Sequence, residues 1–351
     1  MAAPIAITLG DPAGIGPEII ARAWMQDPQA LRGCVIAGDV AALQRAQNQV
    51  ARGAAVGPLA LLTSLTELPA LPPRCLPVLQ VARPGPLVTQ GVVSPRGGQV
   101  AADCVLWAAQ AALRGEVAAL VTAPLHKEAL ALAGPPADGF PGHTELLQHL
   151  AARYLGRECA ELPVRMMLAN DELRVVLVSI HLSLREALDA VTRPQVLETL
   201  RIAHRSLSAM LGRAPRLAVA GLNPHAGEGG RFGREELEVI APAIAAAREE
   251  GISAQGPFPP DTVFMRARAQ ARAAQADGCD AVIAMYHDQG LIPLKYLGVE
   301  QGVNVTLGLP LVRTSPDHVT AFDIAGTGQA DPSSLLAAVR VARTLSAADC
   351  P

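Results

Sequence analysis

Aromatic side chains are scarce in this 351-residue chain: five Phe, three Tyr and two Trp, or 3% of the residues. Few rings are therefore available for stacking on nucleobases, and the interior has to be built from Ala, Leu, Val and Ile within a 50% hydrophobic share. An excess of charge is also lacking. Lys and Arg number 29 against 32 Asp and Glu, a formal net charge of −3, so no global field draws the chain to nucleic acid or an anionic membrane. No apolar run reaches the roughly 18 residues, free of charges and turn formers, that a membrane span requires. The six cysteines (Cys34, Cys75, Cys104, Cys159, Cys279 and Cys350) are scattered, with no CxxC pair. That spacing excludes a dense disulfide framework and predicts reduced thiols in a cytoplasmic protein. The opening MAAPIAITLGDPAGIGPEI has no basic segment and soon breaks into Gly and Pro; it reads as a buried first strand, not a secretory signal.

What is present is an alternation of short β-branched or apolar runs with longer Ala/Leu/Arg/Glu stretches of helical period. This predicts α/β architecture with largely parallel sheets, and the length favours two domains. Strands are expected at Pro4–Leu9, Cys34–Gly38, Leu76–Val81, Ala118–Thr122, Val164–Leu168, Arg174–Ile180, Arg216–Gly221, Ala281–Met285 and Val303–Leu307. Helices are expected at Pro17–Met25, Gln99–Arg114, Thr144–Tyr154, Pro194–Leu211, Arg234–Glu250, Thr262–Ala276 and Pro332–Leu345. The Pro- and Gly-rich stretch Leu68–Gly98 reads as a meandering connection, and Ala133–Gly142 (AGPPADGFPG) as a crossing between domains.

Three of the eight histidines follow predicted strands: His181, His225 and His287, 44 and 62 residues apart. The carboxyl ends of parallel strands share one edge, where ligands bind, so the three imidazoles can converge despite their separation. Three nitrogen ligands with an open position are the arrangement of a catalytic divalent-metal site, and the wide spacing argues against a structural zinc finger. Any one of them alone could be an ordinary loop histidine. His126 follows another strand end, whereas His149 and His204 lie within helical patterns.

Groups suited to anions surround these positions. Gly221–Glu236 (GLNPHAGEGGRFGREE) is a glycine-rich lead into a helix, and Pro141-Gly-His-Thr-Glu places His143 and Thr144 at another helix start. Lys295, Asn304 and Arg313 can donate to phosphate or carboxylate, the two cations being flanked by apolar sequence (LIPLKYLG, GLPLVRTS). The opening loop Gly10–Glu18 joins strand to helix but lacks the GxGxxG order, so a Rossmann fingerprint is absent.

Together GDPAGIGPE, PGHTE, GLNPHAGEGG, PDTVF, MYHDQGLIPLKY and VNVTLGLPLVRTS resemble the 4-hydroxythreonine-4-phosphate dehydrogenase family of pyridoxal phosphate biosynthesis, over about residues 5–332. The resemblance implies a fold like the isocitrate and isopropylmalate dehydrogenases: two α/β/α domains, a homodimer, and an interdomain active site completed by the partner subunit. It implies a cofactor-side domain of 1–135 and 288–351 and a metal, substrate and dimerisation domain of 136–287. By motif, His181, His225 and His287 match divalent-metal ligands (Zn, Mg or Co). His143, Thr144, Lys295, Asn304 and Arg313 match substrate-binding positions. Asp317–Gly328, with Asp323, Ala325, Gly326 and Gly328, resembles a non-Rossmann loop for NAD or NADP. Val319 departs from the pattern where Gly is common, which bears on backbone approach to the dinucleotide; Ser183 stands where Pro is common.

The implied reaction is oxidation of 4-phosphooxy-L-threonine at C3, followed by loss of CO₂. Asp261, Asp288 and Lys295 are the general-base candidates; alternatively both carboxylates orient the histidines. Related branches oxidise threonate or erythronate phosphates, or cyclic dihydrodiols. A metal-dependent hydrolase and a phosphometabolite-binding protein without chemistry are the readings from other classes.

Overall fold

The structure, a computed structural model, describes residues 3–55, 57–72, 74–273, 278–298 and 302–348. In chain order its elements begin β1 (Ile5–Thr8), α1 (Gly16–Gln26), β2 (Cys34–Gly38), α2 (Val40–Ala51), β3 (Leu59–Leu62), β4 (Leu76–Gln80), α3 (Pro95–Leu113), β5 (Ala119–Thr122), α4 (Lys127–Ala131) and α5 (His143–Leu155). They continue β6 (Arg165–Ala169), β7 (Arg174–Leu177), α6 (Leu184–Ala190), α7 (Arg193–Leu211), β8 (Leu217–Ala220), α8 (Ala241–Glu249), β9 (Ala254–Phe258), α9 (Val263–Arg272), β10 (Ala281–Ala284), α10 (His287–Tyr296), β11 (Val303–Leu307), β12 (Arg313–Pro316) and α11 (Ser333–Ala348). The chain is thus α/β throughout, with mostly parallel strands. No helix among the described residues is long and apolar enough to cross a membrane.

Two compact units divide the chain. The residues up to Leu162 and those from Leu309 to Ser346 form unit 1, and Pro163–Gly308 lies in unit 2. The divisions therefore fall at 162/163 and 308/309, not at 135/136 and 287/288. Ala133–Gly142 is not a crossing: it lies inside unit 1, where Ala133, Ala137 and Phe140 pack into the same core as Leu146 and Leu147 of α5.

Unit 1 orders its strands β3-β4-β2-β1-β5-β12, every pair parallel. Ala6 of β1 lies opposite Val35 and Leu120, and all three join a core with α3, α4 and α5. The next residue, Ile7, lies opposite Ile36 and Val121 on the other face, and these are equally buried. Burial on both faces explains why these strands read as continuous apolar runs without alternation.

Unit 2 orders its strands β11-β6-β7-β10-β8-β9. The β7–β10, β10–β8 and β8–β9 pairs are parallel, whereas β6 is antiparallel to both β7 and β11. Its core gathers Val175, Leu177, Ala218, Val282 and Ala284 from the sheet with Phe264 of α9 and Leu291 and Leu294 of α10.

Three strands lie where none was expected, each for a local reason. β3 (LALL) has the composition of a helix, β9 carries Gly256-Pro257, and β12 (RTSP) is polar in sequence yet buried along its whole length. Helices α2, α4, α6 and α10 were likewise not expected. The helix predicted from Arg234 opens with a single wide i→i+5 turn at Glu236–Ile240 before α8. The one predicted to reach Ala276 is helical over Val263–Arg272, and 274–276 lie outside the described residues, as does Cys350; the other five cysteines are unpaired.

Candidate active site

In unit 2, β7, β10 and β8 are parallel neighbours, so their carboxyl ends share an edge. Val178 donates its N–H to the Ala284 carbonyl and Ser179 Oγ to the Met285 carbonyl, each at 2.9 Å, locking the chain beyond β7 to that beyond β10. His181 and His287 become neighbours there, with ring centroids 5.8 Å apart and a tilt of 41°. His287 is the first residue of α10, and its Nδ1 lies 2.7 Å from Asp288 Oδ1. With the proton on Nδ1 shared with that carboxylate, Nε2 keeps its lone pair, an arrangement compatible with a metal-binding histidine.

His225 stands differently. It lies on the exposed turn after β8, edge-on to Phe232 at 5.9 Å, with Nδ1 3.6 Å from Glu228 Oε2. His181 and His225 both occupy the left-handed region, at φ 51° and 53°, where a residue with a side chain costs about 1–2 kcal/mol. Strain of this kind persists only where the surroundings impose it, and it clusters at functional sites. Among the described residues no three His, Cys, Asp or Glu side chains are gathered closely enough to hold a metal. The fold thus pairs two of the three imidazoles and presents the third on a neighbouring strand end. By donor chemistry the imidazoles fit a borderline ion such as Zn or Co better than the oxygen-seeking Mg.

Unit 1 holds Arg313, His143 and Thr144. Arg313 of β12 is buried, 4% exposed, and donates to Thr122 Oγ1 of β5 from Nε at 3.2 Å and Nη2 at 2.8 Å. Burial lowers its pKa to about 10, with Glu145 pulling the other way, so it remains a cation at neutral pH. His143 and Thr144 form the first turn of α5, whose cap residue Gly142 supplies no side-chain hydrogen bond. Burial, and then the Arg313 charge, hold His143 well below the ordinary imidazole value, so it is neutral at pH 7. Its Nε2 is buried without a hydrogen-bond partner among the described residues. A buried guanidinium, an orphaned imidazole nitrogen and an uncapped helix start are groups whose chemistry suits an anion. Lys295, exposed near the end of α10, and Asn304, half-buried in β11, belong to unit 2. Asp261 is exposed in the turn before α9.

Glu18 of α1, fully buried, organises the loop 317–328: its carboxylate accepts the N–H of Gly326 and, at 2.8 Å, that of Gly328. Arg22, one turn on, donates to the Gly328 carbonyl at 2.8 Å. Gly326 and Gly328 are left-handed, at φ 85° and 64°. A Cβ on Gly326 would lie 2.6 Å from Gln90 Oε1. Asp323 is exposed and Ala325 half-buried on the same loop.

Residues 30–342 match the family model described as pyridoxal phosphate biosynthetic protein PdxA. The chain belongs to the PdxA family. It is 49% identical over 332 residues, 95% of this chain and 92% of the relative, to 4-hydroxythreonine-4-phosphate dehydrogenase of Beijerinckia indica. It is also 44% identical to D-threonate 4-phosphate dehydrogenase of Salmonella typhimurium over 97% of this chain and 98% of the relative. The crystal structure of 4-hydroxythreonine-4-phosphate dehydrogenase from Klebsiella pneumoniae superposes with a TM-score of 0.82 at 40% identity, covering 99% of this chain and 98% of that one.

Both departures from the PdxA pattern have local explanations. Ser183 is the N-cap of α6 in a reciprocal capping box with Glu186, so it contributes a helix start in place of a rigid turn. Val319 is 75% exposed and stays out of the left-handed region that Ala321, Gly326 and Gly328 occupy in this loop, so its own backbone conformation does not call for glycine. Sequence reasoning did not single out Thr122, Glu18, Glu236 or Gln289. The available signal was an acidic residue closing each glycine-rich loop, GPE and GREE.

Proposed function

We propose that this PdxA-family chain oxidises 4-phosphooxy-L-threonine at C3. The oxidation would give 2-amino-3-oxo-4-phosphooxybutanoate and a proton, with NAD or NADP, when bound, as the hydride acceptor. That β-keto acid loses CO₂, its ketone accepting the electron pair, to leave 3-amino-2-oxopropyl phosphate for pyridoxal 5′-phosphate (vitamin B6) biosynthesis. The observation that carries the reading is the buried, charged Arg313 beside neutral His143 at the start of α5, a set suited to one phosphate.

Arg313, His143 and Thr144 anchor the phosphate, and Lys295 and Asn304 the rest of the substrate; such remote anchoring supplies the positioning hydride transfer needs. His181, His225 and His287 would hold the divalent ion, which when bound would supply Lewis acidity toward the hydroxyl being oxidised. Asp288 orients His287 through Nδ1, which leaves Asp261 and Lys295 to accept the hydroxyl proton. The loop carrying Asp323, Ala325, Gly326 and Gly328 would hold the dinucleotide. The working enzyme is a cytoplasmic homodimer whose site is shared between subunits.

A second reading, oxidation of D-threonate 4-phosphate, is favoured by the Salmonella relative of that name at 44% identity. Following reduced-nicotinamide absorbance with both cofactors, against 4-phosphooxy-L-threonine and the 4-phosphates of D-threonate and D-erythronate, decides between them. Turnover of 4-phosphooxy-L-threonine at the highest kcat/KM supports the first reading. A preference for a threonate or erythronate phosphate replaces it, and substrate loss without cofactor reduction overturns both.

A further inference from the structure

His225 opens a run of backbone that is left-handed at five successive residues: His225 (φ 53°), Ala226 (52°), Gly227 (76°), Glu228 (42°) and Gly229 (68°). Three of the five carry side chains, and left-handed residues normally occur singly because each such residue costs about 1–2 kcal/mol. Something must hold the conformation, and Glu236 anchors the residues that lead into the run. Its carboxylate, only 2% exposed, accepts the backbone N–H groups of Leu222 and Asn223, each at 2.7 Å on Oε1, and Asn223 Nδ2 at 3.0 Å on Oε2. Glu235 Oε2 takes Asn223 Nδ2 as well, at 2.7 Å. The carboxylate is built into the turn from both sides, for a Cβ on Gly227 would lie 2.6 Å from Glu236 Oε2 and one on Gly221 3.1 Å from Oε1. Glu236 itself starts the wide i→i+5 turn, a local expansion frequent at functional sites.

The same strand end is tied to the one that carries His287. Gln289 donates from Nε2 to the Gly221 carbonyl at 2.8 Å and accepts the Met285 N–H on Oε1 at 2.7 Å. The turn bearing His225 is therefore tied to the frame of the His181–His287 pair through Gly221, and its entry at Leu222 and Asn223 is held by Glu236.

We propose that Glu236 is the positioning residue of the metal site, a buried carboxylate that sets where His225 presents its imidazole; the inference rests on the reading of His225 as a ligand. A carboxylate suits this task because it faces three donors and offers none. An amide of the same size would point an N–H at one of those donors and leave the turn without its restraint.

The test compares wild type, E236Q and H225A as metal-free proteins titrated with Co²⁺, following affinity and the visible ligand-field spectrum, with thermal midpoints measured in parallel. E236Q is expected to remain folded, to bind Co²⁺ about 10–100-fold more weakly, as outer-sphere partners of metal ligands do when removed, and to shift its spectrum toward that of H225A. Wild-type affinity and spectrum in E236Q, with H225A impaired, overturn the positioning role and leave the ligand reading standing. Unchanged binding in H225A overturns both. Should E236Q fail to fold, N223A, which removes only the side-chain bridge, carries the test: a weaker Co²⁺ affinity supports the proposal, and an unchanged one overturns it.

Discussion

Arg313 and Thr122 meet across two parallel strands of unit 1, with the guanidinium donating twice to one hydroxyl at 3.2 and 2.8 Å. A buried cation that could rotate would make a poor phosphate anchor, and this hydroxyl orients it. T122V removes the acceptor at nearly constant volume and leaves buried donors to find another partner, at a cost of about 1–3 kcal/mol. The expected outcome is a lower thermal midpoint together with a higher KM for the phosphorylated substrate. R313A should raise that KM far more than the KM for an unphosphorylated analogue, and equal effects on both would remove Arg313 from the phosphate site.

His143 gives a pH dependence of definite sign. Its folded pKa lies well below the ordinary value of about 6.5, because burial and the Arg313 charge oppose protonation. Between the folded value and about 6.5 the unfolded chain binds the extra proton, so stability is lost as pH falls through that window and is flat above it. The slope is at most about 1.4 kcal/mol per pH unit for one proton. Denaturation midpoints of wild type and H143Q between pH 5 and 8 check this: the wild type should lose more stability than the variant on acidification. Parallel curves would exclude the effect.

Glu18 holds two backbone N–H groups of the loop proposed to take the dinucleotide. E18Q sets an amide N–H against one of them and should loosen the loop, raising KM for NAD or NADP about tenfold while changing KM for the phosphorylated substrate much less. A uniform change in both constants would mark Glu18 as a general stabiliser of unit 1.

Metal dependence is checked by exhaustive chelation, which should abolish cofactor reduction, with Zn²⁺ or Co²⁺ restoring it better than Mg²⁺. H287A should lose bound metal and turnover together. D288N, which weakens the partner of His287 Nδ1, should lower metal affinity without removing the ligand. Turnover that survives chelation would overturn the metal assignment.

S183A tests the capping box of α6. Loss of the cap should cost about 1 kcal/mol, read as a lower thermal midpoint with kcat almost unchanged. An unchanged midpoint would show that Glu186 holds the helix start without it.

The apolar strands could be read directly because most are buried on both faces, so Cys34–Gly38 and Val303–Leu307 stand where their composition placed them. The strand-end histidines could be read for the same reason, since a parallel strand order puts its carboxyl ends on one edge. β12 was not legible: Arg-Thr-Ser-Pro has no apolar signal, and its burial depends on β5 and α11 packing around it, as Thr314 Oγ1 shows by donating to the Ala338 carbonyl at 2.9 Å. The domain divisions were illegible too. AGPPADGFPG has the composition of a linker, yet Ala137 is buried with Leu146 and Leu147 in the core of unit 1.

By itself the sequence determined the class of the fold, the absence of a long apolar span, the positions of the candidate ligands along the chain and the family to which it belongs. These properties depend on composition, period and motif, which are local. Only the tertiary structure decided that His181 and His287 are paired, that Arg313 is a buried cation beside a neutral His143, and that Glu236 and Glu18 shape two glycine-rich loops. Those relations join residues up to hundreds of positions apart, and their energies arise from desolvation and hydrogen-bond geometry that exist only once the chain has packed.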